Sequence, residues 1–207
     1  MARKKEGNTK SEHPLLIVIS GPSGVGKDAA LDRMKKAGLP YHYVLTATTR
    51  AKRPGEKDGV DYWFISKDKF QQMVKKDQFL EWAKVYGNYY GVPEREITES
   101  LKQGLDTVVK VDVQGAATIK RILPDALFIF LMPPSPEELA KRLKQRYGLS
   151  STDLDVRLGK AQEEMESLPM FDYVITSYTD NLDLTAAQIN GAVAAAKCRT
   201  KPRVVSL

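Results

Sequence analysis

The chain has 207 residues, of which 42% are hydrophobic and 28% charged, with a single cysteine and a net charge of +6. This length and composition predict one sizeable core, exclude an internal disulfide bond and offer no apolar run that could span a membrane. The lone thiol favours a reducing, cytoplasmic setting, and the positive charge suits a protein that binds polyanions.

Part of that positive charge lies near the two ends of the chain. Residues 1–12 form a basic, polar segment that we expect to be disordered, and residues 197–207 form a basic tail that we expect to be solvated. No aromatic-rich basic motif of an RNA- or DNA-binding module accompanies these charges. We therefore expect neither a nucleic acid nor a membrane as a partner.

The first strong signal is a glycine-rich turn between a strand and a helix. The apolar run 15–19 predicts a buried parallel strand, and a helix is predicted from Ala29 onward. Between them stand Gly21, Pro22, Ser23, Gly24, Val25, Gly26 and Lys27. Such a turn wraps backbone N–H groups around phosphates at a helix N-terminus, while its lysine reaches the outer phosphates. The pattern ordinarily continues with a Ser or Thr that binds Mg²⁺, so Asp28 is an unusual next residue.

Strands and helices alternate along the rest of the chain. Further strands are predicted at 43–47, 107–112, 127–131 and 173–176. Helices are predicted at 93–103, at 136–147, after a polar loop at 149–153, and at 184–196. Between 58 and 91, short aromatic strands instead surround a helix at 67–76. We predict an α/β fold with a doubly wound, parallel five-stranded sheet flanked by helices and a small inserted β-rich lobe.

Charged residues near the predicted strand ends indicate a second substrate. Arg50 and Arg53 lie three residues apart on one turn, and two forked guanidinium groups suit a second phosphate. Glu81 stands in an apolar strand and Asp112 ends another, so each carboxylate needs a partner. Guanine offers such a partner, because its ring N–H and exocyclic amino group are adjacent donors that one carboxylate accepts together.

Taken together, these motifs resemble those of the guanylate kinases, a family of phosphate-loop nucleoside monophosphate kinases. The resemblance extends from Leu16 to the last predicted strand. Its segments are 19–27, 48–56, 59–62, 79–83, 87–91, 111–115 and the arginine-bearing stretch 142–157. Several separate motifs in the right order are far more specific than a phosphate loop alone.

The resemblance implies a division of the chain and a role for each site residue. It implies a core of residues 13–51, 92–141 and 158–196, an inserted GMP-binding lobe at 52–91 and a short helical lid at 142–157. Lys27 and the loop around it would hold the ATP phosphates. Arg50, Arg53, Tyr62 and Tyr90 would hold the GMP phosphate, and Thr46, Glu81 and Asp112 would contact guanine. Arg142, Arg146 and Arg157 would neutralise charge on the transferred phosphoryl group, with no covalent protein intermediate.

Four positions depart from the family pattern, and one of them is the turn 177–181, which replaces an Asn-Asp-Asp turn that helps to bind adenine in the family. Asp28 replaces the usual hydroxyl residue, and Lys110 stands where the family usually carries an acid. We expect these two to form a buried ion pair in which Lys110 supplies positive charge beside the phosphates, because one buried charge alone costs about 3–5 kcal/mol. Alternatively, Asp28 is itself a Mg²⁺ ligand, or the site is weakened. Val92 replaces a Ser or Thr that contacts guanine in the family.

The resemblance implies phosphoryl transfer from ATP to GMP, and to dGMP, giving ADP and GDP in purine nucleotide metabolism. Mg²⁺ would enter with ATP, held by its phosphates and water, with Asp28 as the candidate protein ligand. The protein is expected to be a monomer or a homodimer. One alternative is a catalytically weakened module that binds nucleotide or protein. Another is a kinase for a different nucleoside monophosphate, but Glu81 and Asp112 favour guanine and so argue against it.

Overall fold

The computed structural model describes residues 13–148 and 151–207 of the chain. The segment expected to be disordered, 1–12, and two residues of the expected loop, Leu149 and Ser150, lie outside these ranges. The strands are β1 Leu16–Ser20, β2 His42–Tyr43, β3 Ala47–Thr48, β4 Trp63–Phe64, β5 Phe79–Val85, β6 Asn88–Pro93, β7 Thr107–Lys110, β8 Leu127–Met132 and β9 Tyr173–Thr176. The helices are α1 Lys27–Lys36, α2 Lys67–Lys75, α3 Glu94–Lys102, α4 Val113–Ile122, α5 Pro136–Tyr147, α6 Ser151–Met165 and α7 Leu182–Lys197.

Five strands form a parallel sheet in the order β2-β7-β1-β8-β9. Every residue of β1 is fully buried, as its continuous apolar run requires of a strand covered on both faces. The α/β class and the doubly wound, five-stranded parallel sheet predicted from the sequence are therefore confirmed.

Helices cover both faces of this sheet. On one face α1 and α7 pack against the strands through Leu31, Met34 and Ile189, and on the other α3 and α4 pack through Ile97 and Ile119. Strands β2 and β7 follow on one side of β1, and β8 and β9 then follow on its other side, so the direction of strand order reverses at β1. In such sheets the crevice for a ligand opens at the carboxyl ends of the strands beside that reversal.

A second, smaller sheet has the order β4-β3-β6-β5 and packs around its own aromatic cluster. Phe70 of α2 stacks on Phe79 of β5 with ring centroids 4.6 Å apart, and Ala47 completes this cluster. Helix α2 begins after Ser66, whose hydroxyl accepts a hydrogen bond from the Lys69 backbone N–H at 3.2 Å. Most of these elements lie within the stretch predicted as a β-rich insertion, but β3 precedes it and β6 runs past it to Pro93. The lobe and lid boundaries stay predictions.

The strand predicted at 43–47 is wrong as a single element. The chain pairs with β7 at His42 and Tyr43, and the Val44 N–H still donates to the Val108 carbonyl at 3.0 Å. It then crosses to the small sheet, where Ala47 pairs with β4 and β6. The one apolar run is thus divided between two sheets, and it contributes a two-residue strand to each.

Three other local predictions also differ from the structure. Residues 151–153 belong to α6 and not to a loop. Strand β7 ends at Lys110, and Asp112 instead caps helix α4, which the sequence analysis did not anticipate. In the tail expected to be solvated, the Arg203 side chain is only 11% exposed and donates to Asp172 and to the Ala126 carbonyl, each at 2.8 Å.

Candidate active site

A cleft of about 320 Å³ opens at the carboxyl ends of β1 and β7. Its lining includes the whole glycine-rich turn from Gly21 to Asp28. It also includes Thr46, Arg50, Arg53, Tyr62, Glu81, Tyr90, Lys110, Asp112, Arg146 and Arg157. The fold therefore brings together every predicted site residue except Arg142.

The glycine-rich turn runs directly from β1 into α1. Gly21 has a φ of 139°, and a Cβ at this position would lie 2.2 Å from the Leu131 carbonyl oxygen, so only glycine fits. Gly26 caps α1 in the left-handed region with a φ of 104°, which directs the first N–H groups of the helix toward the cleft. The turn is thus a preformed anion site with the positive end of the helix dipole behind it.

Lys27 folds back over this turn. Its Nζ donates to the Gly21 carbonyl and to the Pro22 carbonyl, the latter at 3.2 Å. Burial lowers the pKa of the Lys27 ammonium, and Glu164 and Asp28 act against that shift. A phosphate that replaced these carbonyls would supply a full negative charge to the buried ammonium.

Arg142 lies behind the turn and not in the cleft. Its guanidinium donates to the Val25 carbonyl and to the Ser177 carbonyl, both at 2.9 Å, and to Glu138 at 3.1 Å. The side chain is 11% exposed. In this structure Arg142 therefore fastens α5 to the glycine-rich turn and does not face the space where a phosphoryl group could lie.

The predicted arginine pair, Arg50 and Arg53, also lines the cleft. The Arg50 guanidinium donates to Glu56 at 2.8 Å and is 11% exposed, while Arg53 lies 3.9 Å from the same carboxylate. Tyr62 and Tyr90 pack edge to face beside them with ring centroids 6.3 Å apart. Two guanidinium groups and two phenol groups thus converge on one pocket, a donor set suited to a phosphate monoester.

Glu81 and Asp112 form an acidic pair at the inner end of the cleft. Glu81 is 5% exposed, and burial, with Asp112 adding to it, raises the pKa of its carboxyl to about 8. Neither Glu81 Oε2 nor Asp112 Oδ2 has a hydrogen-bond partner among the described residues. Val92 pairs with Glu81 in the β5–β6 register, but it is fully buried in the hydrophobic core and does not line the cleft. A ligand with adjacent N–H donors would satisfy both of these buried acceptors.

Helix α4 shapes the pocket around these acceptors. Asp112 caps the helix by accepting a hydrogen bond from the Gly115 N–H at 2.8 Å. A Cβ at Gly115 would lie 2.8 Å from Glu81 Oε2, so a larger residue here would displace the Glu81 carboxylate. One of the two Asp112 oxygens is thus used by the helix, and the other stays available for a ligand.

Asp28 and Lys110 are in contact at the end of the glycine-rich turn. Lys110 is brought there because it pairs with Ile19 in the β1–β7 register, and its Nζ donates to Asp28 Oδ1. The other oxygen, Oδ2, accepts a hydrogen bond from Arg146 at 3.2 Å. Burial would raise the pKa of the Asp28 carboxyl, but Lys110, Arg146 and Lys27 outweigh it and lower that pKa. The carboxylate is therefore ionised and paired with a cation at each oxygen.

Comparison with known proteins adds the deciding observation. The family model described as "Guanylate kinase" matches residues 13–196. The chain belongs to the guanylate kinase family.

Individual members of the family match over nearly the whole chain. "Guanylate kinase 2, chloroplastic/mitochondrial" of Oryza sativa subsp. japonica is 44% identical over 195 residues, which is 94% of this chain and 68% of that protein. A guanylate kinase of Desulfitobacterium hafniense (strain Y51) is 38% identical over 192 residues, 93% of this chain and 95% of that protein. A crystal structure of guanylate kinase from Anaplasma phagocytophilum has a TM-score of 0.73 and 29% identity, and the match covers 94% and 91% of the two chains.

The Asp28 carboxylate does not fit the role of a Mg²⁺ ligand in this structure. The phosphate-loop pattern ordinarily places a hydroxyl and a second carboxylate beside the metal, but here Asp28 carries a cation on each oxygen and Lys110 replaces the acid. Among the described residues, no group of three or more His, Cys, Asp or Glu is arranged to hold a metal ion. With Lys110 and Arg146 on its two oxygens, Asp28 is not placed to coordinate a metal directly.

Sequence reasoning missed several residues that line the guanylate kinase cleft, and Glu164 and Tyr86 are the two with charged contacts. Glu164 of α6 lines the cleft; burial raises the pKa of its carboxyl, and Lys27 opposes that shift. Tyr86 lines the cleft from the turn between β5 and β6. Glu164 follows Arg157 by seven residues, a spacing that predicts both side chains on one face of a helix. No feature of the sequence predicts that Tyr86 lies beside them.

Proposed function

We propose that this chain catalyses transfer of the γ-phosphoryl group of ATP to GMP, giving ADP and GDP. The observation that carries the proposal is one cleft in which a phosphate loop faces both an arginine pair and a buried acidic pair. Membership of the guanylate kinase family and relatives that bear this name support the same reaction. A weakened binding module is not favoured, because the phosphate loop, Lys27 and the cleft arginines are all retained.

ATP binds through the glycine-rich turn. The N–H groups of residues 24–27 surround the β- and γ-phosphates, and Lys27 turns from the Gly21 and Pro22 carbonyls to these oxygens. Arg142 holds the back of the turn in place through the Val25 carbonyl. Its role is to position the loop, while Arg146 and Arg157 face the cleft.

GMP binds across the cleft from ATP. Arg50 and Arg53, with the hydroxyls of Tyr62 and Tyr90, hold its phosphate. Glu81 and Asp112 accept the adjacent N–H donors of guanine, and Thr46 beside Lys110 contributes a hydroxyl to the base. Adenine lacks this donor pair and would leave buried carboxylate oxygens unsatisfied, which disfavours it. Since dGMP shares both the base and the phosphate, it is a second acceptor.

The chemistry is an in-line displacement at the γ-phosphorus. A GMP phosphate oxygen forms the new P–O bond as the bond to the β-phosphate oxygen of ATP breaks, and ADP leaves with that electron pair. The protein contributes position and positive charge and forms no covalent intermediate. Lys27, Arg146 and Arg157 stabilise the charge that spreads over the transferred group.

Lys110 supplies a further positive charge beside the phosphates, and Asp28 balances it in the free protein. Mg²⁺ enters with ATP and is held by phosphate oxygens and water, not by a protein ligand. This assignment favours the ion-pair interpretation of Asp28 over a role in metal binding. It is supported by the two cations on the Asp28 carboxylate.

The proposed substrates also suggest a pathway and partners for the enzyme. We place the enzyme in purine nucleotide metabolism in the cytoplasm, acting as a monomer or homodimer, with small nucleotides as its partners and no nucleic acid or membrane. Among the described residues, no helix has the length and hydropathy to cross a membrane.

Phosphoryl transfer is tested with purified protein, ATP and a panel of GMP, dGMP, AMP, CMP and UMP, with nucleotide products resolved by chromatography. GDP and dGDP are expected, with the other acceptors slower by at least a hundredfold. Absence of GDP at every Mg²⁺ concentration overturns the proposal. The same titration tests the metal assignment, since the rate should follow the concentration of MgATP and gain nothing from further free Mg²⁺.

A further inference from the structure

Tyr86 occupies a turn that does not suit its residue type. Strand β5 ends at Val85 and β6 begins at Asn88, so Tyr86 and Gly87 form a two-residue hairpin turn with φ values of 46° and 81°. Such turns favour Asn, Asp or Gly at the first position, because a left-handed backbone strains a residue with a bulky side chain. A strained residue of this kind indicates that something other than the turn requires its side chain.

The Tyr86 ring contacts two cations of a distant helix. The Arg157 guanidinium carbon lies 4.2 Å from the ring centroid, and the Lys160 ammonium lies 4.8 Å from it. Both distances are within the 6 Å range of cation–π attraction. The ring therefore joins the β5–β6 hairpin to α6, two elements separated by more than fifty residues of chain.

The same face of α6 reaches the phosphate loop. Arg157, Lys160 and Glu164 recur at spacings of three and four residues, which places them along one side of the helix. Arg157 and Glu164 both line the cleft, and Glu164 interacts electrostatically with Lys27. The orientation of this face therefore determines where the Arg157 guanidinium points relative to the phosphates.

We propose that Tyr86 is a positioning residue which, through cation–π contacts with Arg157 and Lys160, aligns the cleft-facing side of α6 for phosphoryl transfer. This inference rests on the proposed function, since the readout is that reaction. In this role Tyr86 acts through Arg157 and Lys160 and not on the reacting atoms themselves. It couples the hairpin beside the GMP pocket to the helix that carries Arg157, so the arginine is in place when that pocket is formed.

The experiment compares Tyr86→Asn with Tyr86→Phe. Asn suits the left-handed turn and removes the ring, whereas Phe keeps the ring and removes the hydroxyl. We expect Tyr86→Asn to lower kcat by roughly 5- to 30-fold, the range for two lost cation–π contacts. KM for GMP should stay within about threefold, and the melting temperature should not fall because the turn is relieved of strain. Tyr86→Phe should retain kcat within about twofold.

A double-mutant cycle with Lys160→Met isolates the contact. Lys160→Met alone should lower kcat by about 2- to 5-fold, and it should have no further effect once Tyr86 is replaced by Asn. Lys102→Met, at the end of α3, is the matched control and should leave kcat unchanged. Additive effects of Tyr86→Asn and Lys160→Met would overturn the inference.

Other outcomes are equally decisive. A wild-type kcat in Tyr86→Asn overturns the positioning role, and a rise in KM for GMP at constant kcat assigns Tyr86 to GMP binding instead. A lowered melting temperature that accounts for the lost activity reduces Tyr86 to a structural residue. Failure of the proposed function is distinct, because the wild-type protein would then form no GDP and none of these ratios would be measured.

Discussion

The buried acidic pair predicts that GMP binding depends steeply on pH, and Glu81 is the group responsible. In the free protein the pKa of the Glu81 carboxyl is raised to about 8 by burial and by the nearby Asp112. Guanine offers two N–H donors, so it requires the ionised carboxylate as the acceptor. Binding therefore releases a proton wherever the free protein holds Glu81 in its neutral form.

The magnitude follows from that pKa. At pH 8 about half of the free protein has Glu81 ionised, and at pH 6 only about 1% does. GMP affinity should thus fall roughly 50-fold from pH 8 to pH 6, which is about tenfold, or 1.4 kcal/mol, for each pH unit well below the pKa. Above pH 8 the affinity should level off.

Isothermal titration calorimetry measures this dependence directly, with Glu81→Gln as the control. The GMP phosphate also titrates near pH 6, and the variant retains that contribution while losing the carboxyl group. The wild-type slope should exceed the variant slope by nearly one decade per pH unit between pH 6 and pH 7. Equal slopes for the two proteins would refute the assignment of Glu81 as the acceptor for guanine.

Three further predictions concern the same cleft. Because Asp28 and Lys110 are paired, Asp28→Ser and Lys110→Met should each lower the free energy of unfolding by about 1–3 kcal/mol. The double variant should lose at least about 1 kcal/mol less than the two single losses added together. Single losses that simply add in urea denaturation would contradict the pair. Gly115→Ala should raise KM for GMP more than tenfold and spare KM for ATP, since a Cβ there meets the Glu81 carboxylate; equal effects on both substrates in steady-state kinetics would contradict this. Arg142→Met should weaken ADP binding by roughly tenfold in calorimetry, because it frees the phosphate loop from α5, and unchanged affinity would rule out that positioning role.

The neutral state of Glu81 has a matching consequence for stability. Its ordinary pKa of 4.5 applies to the unfolded chain, and the folded value is about 8. Between these values the folded protein binds more protons than the unfolded chain, so this group makes the protein less stable as the pH rises from about 4.5 to 8. The carboxylate that recognises guanine is thus kept at the expense of stability near neutral pH, as is common for functional groups.

Much of the site could be predicted from sequence because its motifs are local. A strand, a glycine-rich turn and a helix follow one another at 16–36, and the glycines at 21 and 26 are needed for their own backbone conformation. The pairing of Lys110 with Asp28 was also predictable, since parallel β1 and β7 end side by side and each charge requires a partner. The division of the strand at 43–47 between two sheets could not be predicted, because it depends on which strand each half pairs with.

The sequence by itself determined the α/β class, the phosphate loop and the set of charged residues that gather at the strand ends. Hydrophobic periodicity, glycine conformation and the identities of buried acids are properties of short segments, so they can be inferred without coordinates. Only the tertiary structure decided that Arg142 fastens the loop while Arg146 reaches Asp28, that Asp112 caps α4, and that Tyr86 meets α6. These contacts join residues far apart in the chain through packing, which selects among many alternatives that the local sequence allows equally.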